Sequence, residues 1–98
     1  MDTTETLLKA ILAVVSKATI PPQELSKIVA PTAKSDKQLL AYNLCDGATS
    51  QAEICKKSKL DKGSLSNSIA RWIEAGVMVR LGPDRLPMHL YPISKSER

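Results

Sequence analysis

Apolar residues recur at helical spacing near the start of the chain, at Leu7, Leu8, Ile11, Leu12, Val14, Val15 and Ala18, and predict a first helix there. Asp2-Thr3-Thr4-Glu5 forms a capping box ahead of it, with Asp2 accepting from the first turn and Glu5 reaching back. These apolar positions cover a wider arc than the ~100° stripe a surface helix needs. The surplus is available either to the protein's own core or to a second subunit. Ile20-Pro21-Pro22 ends the helix, because proline lacks the amide donor and disfavours helix in the residue before it. Gln23–Val29 reads as a short helix starting at a proline, with Leu25, Ile28 and Val29 inward, and Ala30-Pro31 stops it. Ser35 or Asp36 caps a third helix, which buries Leu39, Leu40, part of Tyr42, and Leu44 or Cys45 before Asp46-Gly47 ends it.

Ala48-Thr49 reads as a short strand. Ser50-Gln51-Ala52-Glu53 is a second capping box, and its helix carries Ala52, Ile54 and Cys55 to about Lys57-Ser58. Lys59-Leu60 forms a turn and Asp61 is the N-cap of the next helix, so the two helix starts lie about ten residues apart, as in a helix-turn-helix. On this fifth helix Leu65, Ile69, Trp72, Ile73 and Gly76 share one face. Gly63, Ser66, Asn67, Ala70, Arg71 and Glu74 occupy the other, with Lys62 and Ser64 at its start. Val77–Leu81 then predicts a strand with Val77, Val79 and Leu81 on one face and Met78 and Arg80 on the other. Gly82-Pro83-Asp84-Arg85 turns, Leu86-Pro87 stiffens the return limb, and Met88–Tyr91 is the antiparallel partner. Ser94–Arg98 is a polar, frayed tail. The expected fold class is mainly α with a small antiparallel β-hairpin.

Length and composition bound this picture. A chain of 98 residues is one domain. It contains no Phe, so the core rests on Leu, Ile, Val, Ala and Met around Trp72, Tyr42 and Tyr91. No apolar run approaches the ~20 residues of a membrane span, and an acidic start at Asp2 and Glu5 is unlike a secretory signal. A cytoplasmic, nucleoid-associated location is expected. Cys45 and Cys55 lack metal-ligand spacing and the chain has one His, so buried free thiols are expected, and neither a metal nor another cofactor.

Charge changes the picture more. Net charge is +4 overall. Residues 1–55 hold five cations against six anions, whereas residues 56–98 hold nine against four and all four arginines. Such asymmetry points to a polyanionic partner. A helix face of small polar side chains with Lys62 and Arg71 approaches DNA closely, Ser and Asn bonding phosphates or base edges and Arg favouring guanine or phosphate. The helix N-terminus at Lys62–Ser64 adds a positive end. Arg85 at the hairpin turn suits a minor groove or flanking phosphate. No carboxylate pair, nucleophile–His arrangement or phosphate loop stands out, so an enzyme is not expected.

The order of elements resembles the winged helix-turn-helix domain of bacterial and archaeal transcription regulators such as the MarR and ArsR families. The match lies in Leu60-Asp61-Lys62-Gly63-Ser64-Leu65-Ser66 and Trp72-Ile73-Glu74-Ala75-Gly76-Val77-Met78-Val79-Arg80, and it extends over Lys37–Ile93. In those families a leucine-x-lysine-x-x-hydrophobic-serine start and a leucine-glutamate-x-glycine-leucine-valine end frame the recognition helix. The resemblance implies a double-stranded DNA-binding transcription regulator. Lys62, Ser64, Ser66, Asn67 and Arg71, on a recognition helix over 61–75, would face the major groove. Arg80, Arg85 and His89 would belong to a wing over 80–89. Residues 1–34 would form a helical extension that pairs two copies through Leu7, Leu8, Ile11, Leu12 and Val15, 35–93 the winged helix, and 94–98 the tail. The metal-sensing cysteine pattern of ArsR proteins is missing, and Ser66 and Ala70 stand where Z-DNA-binding winged helices have Asn and Tyr. Alternatives are a winged-helix protein-interaction module in a transcription or partition assembly, and a sequence-neutral architectural DNA binder.

Overall fold

Proline and capping signals divide the chain much as expected. A computed structural model describes residues 3–31 and 36–93. Its elements are α1 (Thr3–Thr19), α2 (Pro22–Val29), α3 (Asp36–Leu44), α4 (Gln51–Ser58), α5 (Lys62–Glu74), β1 (Met78–Leu81) and β2 (Leu86–His89). The protein is mainly helical with a two-stranded antiparallel hairpin, as the sequence pattern implies. Pro22 stands in the first turn of α2, where a missing amide costs nothing. Asp2, Ser35 and the tail Ser94–Arg98 lie outside the described residues. Among the described residues no helix is long and apolar enough to cross a membrane.

The core gathers where α3, α5 and the hairpin meet. Leu65, Ile69 and Trp72 of α5 are fully buried with Tyr42 of α3, Val77 and Ile54 of α4. Trp72 and Tyr42 pack edge to face, ring centroids 5.3 Å apart at 88°. The Trp72 indole N–H is buried without an acceptor, so burial of the ring must outweigh an unpaired donor. Tyr42 is completely buried rather than partly so, because its hydroxyl has partners inside: it donates to the Val77 carbonyl (2.9 Å) and accepts from the Leu90 amide (3.2 Å). Asn43 exchanges two hydrogen bonds with the Ile93 backbone (2.7 and 2.8 Å), which fastens the end of the described chain to α3.

Several expected inward residues turn out. Leu40 is 46% exposed and Ile73 39%, and Gly76 also faces out. Leu40 and Ile73 each lie beside the buried stripe of their helix, and among the described residues that flank stays open. No strand forms at Ala48-Thr49. Instead Asp46 bridges Met88: Gly47 N–H donates to the Pro87 carbonyl (2.9 Å) and His89 N–H to the Cys45 carbonyl (2.7 Å). β2 is thus flanked on both sides and begins at Leu86, two residues before the expected start. Pro87 is tolerated inside it because its nitrogen and carbonyl point to the Gly47 side, away from the β1 ladder. In β1 the alternation slips, since Val77 precedes the strand: Val77 and Met78 are both buried, whereas Val79 and Leu81 are 39% and 38% exposed.

α1 stands partly apart. Leu12 and Ile20 touch the core, Ser16 is buried, Lys9 Nζ donates to the Asp46 carbonyl (2.7 Å), and Tyr91 donates to the Ile20 carbonyl (2.5 Å). Between α1 and the outer face of the hairpin lies a cavity of about 630 Å³ lined by Leu8, Leu12, Val79, Leu81, Leu86 and Met88. Cys45 and Cys55 are free, Cys45 buried and Cys55 half-buried. Burial pushes the Cys45 thiol up to about 12, Asp46 adds to this and Arg80 opposes it, so the thiol stays protonated at neutral pH.

Tyr42→Phe should lower stability by about 1–3 kcal/mol, because it strands the Val77 carbonyl and the Leu90 amide in a dry site. Urea unfolding followed by Trp72 fluorescence measures this, and a loss under about 0.5 kcal/mol would mean water reaches both groups.

Candidate nucleic-acid interface

The turn between α4 and α5 is built by local chemistry. Lys59 takes a left-handed conformation (φ 65°) and its amide closes α4 on the Cys55 carbonyl (2.9 Å). Buried Ser58 donates to the Ile54 carbonyl (2.7 Å) and accepts from the Leu60 amide (3.4 Å), while Leu60 drops into the core. Asp61 then caps α5: its carboxylate accepts from the Ser64 amide (2.7 Å) and the Ser64 hydroxyl (3.1 Å). Those bonds, that of the Ser64 amide first, hold the Asp61 carboxyl below its ordinary range. Ser50 likewise caps α4 by accepting from the Glu53 amide (3.3 Å).

With Leu65, Ser68, Ile69 and Trp72 turned inward, α5 presents Lys62, Gly63, Ser64, Ser66, Asn67, Ala70, Arg71 and Glu74 to solvent. The expected outer face is therefore formed as one surface. The side chains of Lys62, Asn67 and Arg71 make no bond to the rest of the described chain and keep their donors available. Ser64 differs, since its hydroxyl proton is engaged by Asp61. The same carboxylate already answers the positive end of α5, which leaves less of that end for a phosphate than the sequence suggests.

The hairpin is joined to this face through Gln51, the first residue of α4. Gln51 Oε1 accepts from Arg80 Nη1 (3.0 Å), and Gln51 Nε2 reaches Ser66 Oγ at a long 3.5 Å. Arg80 Nη1 also donates to the Arg85 carbonyl (3.0 Å). Arg80 is half-buried and doubly bonded, whereas the Arg85 side chain is exposed at the turn. Sequence reading gave Gln51 no role beyond a capping box, because its partners lie 15 and 29 residues away. Lys56, Lys57 and Lys59 add exposed cations on α4 and the turn.

His89 is not a wing cation. Its Nδ1 lies 2.9 Å from the Tyr42 carbonyl, which places the proton on Nδ1, and its ring centroid is 5.6 Å from that of Tyr42. Burial, outweighing the Tyr42 carbonyl and Asp46, holds the imidazole below its usual 6.5. Asp46 is also depressed: burial pushes it up, but the Ala48 amide (2.9 Å) and the Thr49 hydroxyl (2.9 Å) together outweigh that. No group of metal-ligating side chains occurs among the described residues. No protein-family model, characterised protein or solved structure matches this chain.

Because the folded imidazole resists protonation while the unfolded one titrates near 6.5, the unfolded state binds more protons below that pH. Stability should therefore fall as pH drops through 6.5, by at most about 1.4 kcal/mol per pH unit. Urea titrations at pH 7.5 and 5.5, values chosen as about one unit either side of 6.5, should show this loss in wild type and a smaller one in His89→Gln.

Proposed function

We propose that this chain is a double-stranded DNA-binding transcription regulator of the winged helix-turn-helix kind, acting as a homodimer. The observation that carries the reading is the outer face of α5, where Lys62, Asn67 and Arg71 stand exposed and unpartnered among small side chains. A helix so clothed approaches the floor of a major groove without steric conflict, and its cations meet phosphates or guanine edges. The Ser66–Gln51–Arg80 contacts set the hairpin beside that face, which favours simultaneous engagement by α5 and Arg85. The surplus of cations over residues 56–98 supplies attraction independent of sequence.

Pairing of two copies is supported by α1. Leu7, Leu8, Ile11, Val14 and Val15 are 49–71% exposed. Together they form an apolar patch on the order of 500 Å² per copy, large for a monomer and near what one side of a modest dimer buries. Ala10, Ile11, Val14 and Val15 outline a shallow, wholly apolar hollow of about 230 Å³ on the same side of the helix. Leu12, half-buried against the protein's own core, contributes less to this face than its neighbours. Pairing would carry two α5 helices toward half-sites about 34 Å apart. The exposed α1 patch also favours a second reading, a module that docks another protein.

Fluorescence anisotropy with mixed duplex fragments at two or more salt concentrations separates these readings. Arg71→Ala and Arg85→Ala should each weaken binding and reduce the log–log salt slope by ~0.9. Equal affinity for every fragment would favour architectural binding, and no salt-sensitive binding at micromolar protein would favour the docking module. Light scattering tests the pairing: wild type should weigh twice the 10.7 kDa chain, and Leu8→Glu with Ile11→Glu should return it to one chain with helicity retained. A wild-type monomer at micromolar concentration would end the dimer proposal.

A further inference from the structure

Arg80 and Arg85 look equivalent in sequence, as two hairpin cations. The geometry separates them. Arg85 sits at φ 51°, in the left-handed region where a side chain crowds its own backbone and glycine does not. Its amide closes the turn on the Gly82 carbonyl (3.1 Å), and its carbonyl receives Arg80 Nη1 (3.0 Å). Both backbone polar groups of Arg85 are thus engaged, and only its side chain is free in solvent. Arg80 makes its second bond from the same nitrogen to Gln51 Oε1 (3.0 Å), so one guanidinium links the hairpin turn to the start of α4.

We propose that Arg80 is the positioning residue of the turn rather than a DNA contact: braced by Gln51, it holds the Arg85 backbone left-handed and presets the Arg85 side chain toward the duplex. This rests on the DNA-binding reading of the α5 face. Glycine takes the other left-handed position of this turn, Gly82 at φ 72°, whereas position 85 carries a long cation. Lys59 is likewise left-handed (φ 65°) and closes α4, so what sets Arg85 apart is that Arg80 braces its backbone while its own side chain stands in solvent. Lysine at 80 would keep the charge but lose the planar guanidinium that fixes the directions of the two Nη1 protons toward Gln51 Oε1 and the Arg85 carbonyl.

A double-mutant cycle tests this, with duplex affinity and the hydrogen-exchange rate of the Arg85 amide as readouts. Gln51→Ala and Arg80→Lys should each weaken binding by about tenfold, the loss of one charge-assisted bond, and should speed exchange at Arg85. In an Arg85→Ala background neither should weaken binding further. Equal losses in both backgrounds would mean that Arg80 meets DNA directly, and would overturn the proposal, as would unchanged exchange. Arg85→Gly should melt above wild type, relieved of the left-handed side chain, yet bind as weakly as Arg85→Ala. A lower melting point would refute the strain. If wild type bound no duplex at all, the DNA reading would fall together with the purpose assigned to Arg85, while the exchange rates would still decide whether Arg80 and Gln51 hold the turn.

Discussion

The two hydrogen bonds of the Tyr42 hydroxyl, to the Val77 carbonyl and from the Leu90 amide, hold three elements in one arrangement. Val77 leads from α5 into the hairpin, Leu90 leads out of it, and Tyr42 belongs to α3. In a dry interior these bonds have no aqueous substitute, so the hairpin leaves α5 at one angle only. The edge-to-face contact of Trp72 on the Tyr42 ring fixes the rotation of α5 about its own axis. That rotation turns Lys62, Asn67 and Arg71 outward as a set. The same tyrosine carries the His89 ring: its carbonyl holds Nδ1 in place, and burial, against the pull of that carbonyl, disfavours the charged imidazole.

A small core built without phenylalanine satisfies α3, α4, α5 and the hairpin but leaves apolar surface over. Five aliphatic side chains of α1 remain about half exposed or more, and Val79 and Leu81 face a cavity instead of a packed neighbour. Isolated exposed aliphatics are ordinary, whereas these five share one side of a single helix. α1 is tied down by Leu12, Ser16, Ile20 and the Lys9 and Tyr91 hydrogen bonds, with its opposite side open. Core and stripe thus divide the chain's hydrophobic residues into those packed inside and those left on the surface of α1.

Electrostatics and sterics cooperate on the other side. Asp61 caps the N-terminus of α5 with a carboxylate that offsets the positive end of the helix, so the exposed positive charge on this side is carried by the Lys62 and Arg71 side chains and by Arg85 on the hairpin. Gln51, uncharged and short, connects that helix face to the turn and leaves Arg85 as the outermost cation of the hairpin. Its place in the network follows from opening α4 directly opposite Arg80.

What the sequence by itself determined was local: prolines and caps set the helix ends, the 3.6-residue period set the outer face of α5, and Gly82-Pro83 set the turn. These signals act within a few residues of their cause, and they were legible for that reason. Only the tertiary structure decided the rest. Leu40 and Ile73 lie at the edge of buried stripes, and whether an edge residue is covered depends on a neighbour distant in the chain. The β-bridge formed at Asp46 instead of Ala48-Thr49 because β2 offers its free side there, and Val77 slipped out of alternation because Tyr42 claims its carbonyl. Period two distinguishes the faces of a strand but not which face meets the core, and spacing marks a cation without saying whether it is free like Arg85 or held like Arg80.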